Sequence, residues 1–301
     1  MSRPYAAAIL ACVLTFTAIG REKQKPPTPE PVAIARAPKI GQPFDDLELD
    51  AFLEKETRRL LAENKLGALK LDGRRWIAAL PAACAEKCAW PKVASRAEAS
   101  TLVLGEIYRE GKSKKDEFSV AAGAFAISEN GAIVTCLHVA TEKGTRGLSA
   151  LTRDGRVFAV REALAADAAN DLVILQLDLP AGTTLPALPL AAEAAPMAAT
   201  IGVMSHPEEH FWMWTTGVVA RQTLIRDPSG EHHFTTITAE FAKGSSGCPV
   251  LDERGNAVGV VNNTESIYYE DDGKRKQRDL QLVVRNVTPG WVVRRMAEVG
   301  N

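Results

Sequence analysis

Three short segments, carrying a histidine, an aspartate and a serine in that order, constrain this 301-residue chain more than any other feature. They are Thr-Cys-Leu-His-Val at 135–139, Asn-Asp-Leu-Val at 170–173 and Gly-Ser-Ser-Gly-Cys-Pro at 244–249. A serine hydroxyl becomes a useful nucleophile only when a base removes its proton and an anion orients that base. The three residue types together therefore predict one reactive site.

Taken singly, each segment has an ordinary structural explanation. The glycines around Ser246 fit a turn between two strands. A histidine at the end of a strand, such as His138, is often structural. An aspartate at the start of a strand, such as Asp171, is often a turn or cap residue. It is the occurrence of all three segments in one chain that indicates a reactive site.

The surrounding chain indicates short strands. From about residue 100 onward, alternating apolar runs are split by glycine and asparagine, which favours antiparallel β-barrels over a βαβ sheet. Residues 123–131 predict a strand followed by an Asn-Gly hairpin, and His138 then lies at the end of the second strand.

Together, the segments resemble the trypsin-like serine peptidases, and most closely their HtrA/Deg branch. That branch has a Thr-x-x-His-Val run, an Asp-Leu-Ala-x-Leu-type strand and Gly-Asn-Ser-Gly-Gly-Pro. The resemblance covers roughly residues 100 to 285. It implies an all-β core, a trypsin-like double antiparallel β-barrel, with an N-terminal helical extension and a C-terminal helix.

The resemblance also implies roles for individual residues. His138 is expected to be the general base, Asp171 its orienting anion and Ser246 the nucleophile. Asp167 is the alternative anion, but Asp171 directly precedes a predicted strand that can hold it. The N–H groups of Gly244 and Ser246 are expected to form the oxyanion hole.

Two residues of the serine segment depart from the family pattern. Cys248 replaces the usual second glycine, and Ser245 replaces the usual Asn or Asp before the nucleophile. An uncharged Ser245 should exclude the activation switch of trypsin, in which that aspartate pairs with a new N-terminus. Neither departure removes a catalytic group.

The substrate pocket is predicted less sharply, with Glu240, Asn262 and Thr264 as its candidates. In trypsin-like enzymes the offset of Glu240 from the nucleophile corresponds to the floor of the main pocket, where an anion would favour Lys or Arg. HtrA-type enzymes usually prefer small aliphatic residues, and Lys243 could neutralise Glu240. A small aliphatic preference is therefore expected ahead of a basic one.

Four of the five cysteines remain if an export signal is cut after Gly20. An oxidising compartment favours pairing, and we predict the disulfides Cys136–Cys248 and Cys84–Cys88. The alternative for each pair is free thiols.

Composition excludes several functional classes. The formal net charge of −1 gives no bulk attraction to nucleic acid or anionic membranes. No phosphate-binding loop, dinucleotide fingerprint or zinc-ligand spacing occurs, so no cofactor and no metal are expected. The other histidines lack such spacing and are expected to be ordinary loop residues, namely His206, His210, His232 and His233.

The chain divides into four predicted parts. Residues 1–20 resemble a signal peptide and 21–43 a proline-rich linker. Residues 44–98 form a helical extension, whose amphipathic helix at 45–66 is capped by Gly67. Residues 99–301 form the peptidase domain: barrel one at about 99–180, barrel two at about 195–286 and a terminal helix at about 289–299. No PDZ domain is expected in this sequence, because the four parts account for its residues.

The leading hypothesis is an exported, periplasmic or extracellular serine endopeptidase acting on polypeptides through an acyl-enzyme. Two alternatives are a non-catalytic binding module with the same fold and a latent peptidase that a partner activates. Membrane attachment is expected only if the N-terminal segment stays uncleaved. The oligomeric state is left open.

Overall fold

A computed structural model of the protein describes residues 43–71, 80–228, 230–271 and 277–298. The predicted signal peptide and, apart from residue 43, the predicted linker lie outside the described residues. Four α-helices occur in the described part, and their bounds are α1 Asp46–Ala62, α2 Trp90–Ser100, α3 Leu137–Ala140 and α4 Gly290–Glu298.

Barrel one is a closed antiparallel barrel with the strand order β1-β2-β3-β6-β5-β4. Its strands are β1 Thr101–Tyr108, β2 Glu117–Ala126, β3 Ala132–Cys136, β4 Thr145–Leu151, β5 Val157–Asp167 and β6 Leu172–Leu177. The β2–β3 hairpin turns at Asn130-Gly131, where Gly131 has a φ of +90° that glycine adopts without strain.

Barrel two is also closed and antiparallel, with the order β10-β11-β12-β9-β8-β7. Its strands are β7 Thr200–Ser205, β8 Met213–Asp227, β9 Gly230–Ile237, β10 Pro249–Asp252, β11 Ala257–Asp271 and β12 Gln277–Pro289. The fold class is therefore the all-β double barrel that the sequence predicted.

Helix α1 packs on barrel one through its apolar stripe. Leu49, Leu53 and Leu60 are buried, and the Thr57 hydroxyl lies 2.6 Å from the Ser149 hydroxyl of β4. The helix ends at Ala62, earlier than predicted, because Asn64 already adopts a left-handed φ of 56°. Gly67 is therefore not the cap.

Helix α2 follows a segment that the sequence left unassigned, and it packs against barrel two. Val93 and Ala97 are buried, and Trp90 lies against Trp214 with ring centroids 5.9 Å apart. The N-terminal extension thus contacts both barrels, α1 on one and α2 on the other.

The chain closes with α4, which begins directly after β12. Val292, Val293 and Ala297 are buried in the core cluster that also contains α1 and α2 residues. Among the described residues, no helix combines the length and the apolar character that crossing a bilayer requires.

Candidate active site

His138 and Asp171 are joined by the pairing of β3 with β6. Strand β3 ends at Cys136 opposite Leu172, so the residues that follow β3 meet the residue that precedes β6. His138 Nδ1 lies 2.7 Å from Asp171 Oδ2, and the His138 backbone N–H donates to Asp171 Oδ1 at 2.9 Å. The carboxylate therefore orients both the ring and the backbone of His138.

Asp171 has an unusual backbone conformation, and a backbone hydrogen bond helps to hold it in this position. Its φ of 51° is unusual for a residue other than glycine, and its carbonyl accepts the Leu137 N–H at 3.1 Å. Asp167, the alternative anion, instead accepts from the backbone and side chain of Asn170. The structure thus brings Asp171, and not Asp167, to the histidine.

Ser246 lies in the serine loop, residues 243–248, which fits between the barrels. The Ser246 carbonyl accepts the Gly123 N–H at 2.9 Å. A Cβ on Gly247 would lie 2.2 Å from Thr135 Oγ1 of β3, so only glycine allows this approach. Barrel one therefore seats the serine loop of barrel two beside the end of β3.

The Ser246 hydroxyl donates to the Asn262 carbonyl at 3.3 Å. Within the described residues it forms no hydrogen bond with His138. The N–H groups of Gly244 and Ser246 likewise have no acceptor there, whereas the Ser245 N–H donates to the Ala242 carbonyl. Both predicted oxyanion donors are available to a ligand.

Asn262 connects Ser246 with Asp171. Its Nδ2 donates to Asp171 Oδ2 at 3.3 Å and to Thr288 Oγ1 at 3.2 Å, while its carbonyl receives the serine hydroxyl. The sequence named Asn262 as a pocket candidate. Its observed contacts are with the aspartate and the serine.

The electrostatics favour proton acceptance by His138. The hydrogen bond that His138 donates to the Asp171 carboxylate raises the pKa of His138 above its ordinary value, and burial offsets part of this rise. Cys136, His138 and Asp171 also bring three potential metal donor atoms within 4.8 Å of one another. Two of these groups, His138 and Asp171, already form a hydrogen bond with each other.

The predicted disulfides are not formed, and all four described cysteines are free thiols. Cys136 Sγ donates to the Val261 carbonyl at 3.1 Å. Cys248 Sγ instead fills the space beside Gly123, 2.1 Å from where a Cβ would lie. Burial raises the pKa of both thiols.

Cys84 and Cys88 are held by separate partners on the β10–β11 turn. The Cys84 N–H donates to Asn256 Oδ1 at 2.7 Å, and the Cys88 N–H donates to the Glu253 carbonyl at 2.7 Å. These two contacts dock the segment onto barrel two without a covalent bridge.

Glu240 is neither buried nor unpaired, as an anion at the floor of a substrate pocket would have to be. Its side chain is 67% exposed and forms an ion pair with Arg285 of β12. Arg285, and not the predicted Lys243, is the partner. Thr264 lies exposed on β11 opposite Arg285 in the strand register.

His206 was expected to be an ordinary loop residue but is buried at the end of β7. Its Nδ1 accepts the Trp212 N–H at 3.0 Å, and its Nε2 lies 3.2 Å from the Leu102 carbonyl of barrel one. Burial lowers its pKa to about 4, so the neutral ring links the two barrels. A run of His, Phe and Trp at 206–212 was the available sequence signal.

Comparison with known proteins agrees with this architecture. Residues 121–260 match the family described as the trypsin-like peptidase domain. A stretch of 156 residues is 28% identical to the uncharacterized protein y4bJ of Sinorhizobium fredii. That match covers 50% of this chain and 23% of the relative, so the chain corresponds to a minor part of that protein.

Solved structures share the double-barrel fold. A variant of the HtrA-type protease AlgW with a decapeptide has a TM-score of 0.55 at 18% identity, covering 71% of this chain and 68% of that one. AlgW with a decapeptide has a TM-score of 0.53 at 19% identity, covering 71% and 69%. Residues 121–260 are thus similar to the trypsin-like peptidase domain. The fold of the chain is that of the HtrA-type proteases.

Proposed function

We propose that this protein is a serine endopeptidase that uses Ser246, His138 and Asp171. The observation that carries the proposal is the 2.7 Å contact between His138 Nδ1 and Asp171 Oδ2 at the site where the serine loop is seated. This contact leaves Nε2 as the ring nitrogen that can take a proton. The donor pair at Gly244 and Ser246 supports the same chemistry.

The reaction begins when Ser246 Oγ turns from the Asn262 carbonyl toward His138 Nε2 and attacks the scissile carbonyl carbon. His138 accepts the hydroxyl proton, and the two N–H groups stabilise the oxyanion. The C–N bond then breaks, and the imidazolium returns the proton to the leaving amine. Water attacks the resulting ester by the same route, which releases the acid and restores the serine.

We propose polypeptides as substrates, with a small aliphatic residue before the scissile bond. The AlgW structures contain a decapeptide and a tripeptide, which supports this substrate class by fold analogy. The pairing of Glu240 with Arg285 removes the argument for a basic preference. A peptide library with Val, Ala, Lys or Arg before the cut site tests the preference.

We also propose export to the periplasm or the extracellular space. The apolar stretch from Ala6 to Ile19 and the small residues before Arg21 support it. Cell fractionation and N-terminal sequencing of the recovered protein test it. An uncleaved N-terminus on protein recovered from the cytoplasm contradicts it.

A fluorophosphonate probe tests the enzymatic proposal. We expect labelling of the wild type and of Ser245→Ala, a neighbouring serine that serves as the matched control. Ser246→Ala should give no labelling and no cleavage of a labelled protein. A wild type that is never labelled, under any condition, would favour a non-catalytic binding module. Labelling only after addition of a peptide would identify a latent peptidase.

A further inference from the structure

The serine loop rests on a second loop, the brace loop, residues 206–212. The Glu208 N–H donates to the Lys243 carbonyl at 2.8 Å. A Cβ on Gly244 would lie 2.7 Å from the His206 carbonyl oxygen, so the two loops are in close backbone contact at this proposed oxyanion donor. The conformation of the brace loop therefore bears on the position of the Gly244 N–H.

The brace loop has an unfavourable backbone conformation, which its surroundings must stabilise. Three of its residues adopt a left-handed φ although none is glycine: Glu208 at 45°, Glu209 at 64° and Trp212 at 53°. Such conformations cost free energy and are held only where the surroundings determine them. Within the barrels, Trp212 Nε1 donates to the Thr101 carbonyl at 3.2 Å.

His206 Nε2 adds a contact with the Leu102 carbonyl of β1, and further support comes from the first described residues of the N-terminal extension. The Phe44 ring stacks on the Trp212 ring, with centroids 5.4 Å apart and an interplanar angle of 14°. The Arg153 guanidinium lies over the Phe44 ring, 4.3 Å from its centroid. The Phe211 N–H donates to Asp46 Oδ1 at 3.3 Å. Two side chains of the extension thus bind the two residues that end the brace loop.

We propose that Phe44 and Asp46 are positioning residues, which act through the brace loop to hold the serine loop in its reactive geometry. Both lie outside the matched peptidase domain and directly after the proline-rich segment in the chain. The expected effect on catalysis rests on the proposed function. The expected effect on the conformation of the serine loop does not.

Hydrogen exchange measured by mass spectrometry tests the positioning role without any assay of activity. In Phe44→Ala we expect faster exchange in peptides covering 206–212 and 243–248, and unchanged exchange in β3 and β6. Leu47→Ala is the matched control, because Leu47 is 82% exposed on the same segment. Phe44→Leu keeps most of the apolar volume but loses the aromatic stack. It replaces Phe44→Ala in the exchange experiment if the alanine variant unfolds.

Fluorophosphonate labelling of Ser246 then measures the catalytic consequence. Phe44→Ala should slow labelling and lower kcat about tenfold with little change in KM, and Phe44→Tyr should restore both. Unchanged exchange at 243–248 in both Phe44→Ala and Phe44→Leu would overturn the inference. If the wild type is not labelled at all, the proposed function fails, and the exchange result alone decides the positioning role.

Discussion

The two halves of the candidate site are held in different ways. His138 and Asp171 are joined at the neighbouring ends of β3 and β6, and the hydrogen bonds between them stay within barrel one, with one further contact to Asp171 from Asn262 of barrel two. Ser246 lies on a loop that fits between the barrels and contacts the brace loop, which is itself supported both by β1 of barrel one and by Phe44 and Asp46 before the barrels. The base is therefore set by local strand pairing, whereas the nucleophile depends on long-range packing.

Removing a reacting group should have the largest effect. We expect Ser246→Ala, His138→Ala and Asp171→Asn each to lower kcat/KM by about 10⁴-fold or more, because the groups act as one unit. For the same reason the triple variant should be little worse than Ser246→Ala. Asp167→Asn is the control and should remain active. An active Asp171→Asn beside an inactive Asp167→Asn would show that the wrong anion was assigned.

Asn262 links the two halves, so its loss should have an intermediate effect. Asn262→Ala removes a hydrogen bond to the Asp171 carboxylate and should lower kcat by about 10- to 100-fold. Asn263→Ala, its exposed neighbour, should change kcat little. Equal rates for the two variants would mean that Asp171 does not need the contact from barrel two.

The same division explains what the sequence could predict. The β2–β3 hairpin, the strand end before His138 and the strand start after Asp171 follow from nearby residues, and the double barrel follows from the family resemblance. The partner of Glu240 could not be predicted in this way, because Arg285 lies 45 residues away and is brought close by the pairing of β12 in barrel two.

The cysteine predictions failed for a related reason. Cys136 and Cys248 lie close to the catalytic residues in the sequence, but this does not determine where each Sγ points. In the structure Cys136 Sγ donates to the Val261 carbonyl. The brace loop was missed because His206 and Trp212 carry no motif. Their importance comes from contacts with Leu102, Thr101 and Phe44 that only the packed structure defines.

His206 should make the junction between the barrels sensitive to acid. Its folded pKa of about 4 lies below the ordinary 6.5, so the unfolded chain takes up the proton first as the pH falls. The stability from this residue is complete above the unfolded pKa and falls by about 3 kcal/mol as the pH drops toward the folded one. The measurement is urea unfolding at a series of pH values.

His206→Gln keeps a donor and an acceptor but does not titrate. Its free energy of unfolding should be lower than that of the wild type at neutral pH, and the gap should narrow by about 3 kcal/mol toward pH 4. His210→Gln is the control, since His210 is 73% exposed. A constant gap between wild type and His206→Gln would contradict the prediction.

The cysteines should have the smallest effect. Because Cys136 and Cys248 are fully buried thiols, Cys84 and Cys88 are the two of the four described cysteines that should react with a thiol reagent in the folded protein. A reductant should leave both stability and activity unchanged. A loss of stability on reduction would show that a bridge does form.

The comparison between the two halves is tested most directly by the downfield proton resonance of His138 Nδ1–H in NMR. We predict that the resonance is present in the wild type, persists in Ser246→Ala and Phe44→Ala, and disappears in Asp171→Asn. That result would show that barrel one sets the base without help from the serine loop or the N-terminal extension. Absence of the resonance in the wild type, or its loss in Phe44→Ala, would contradict the account.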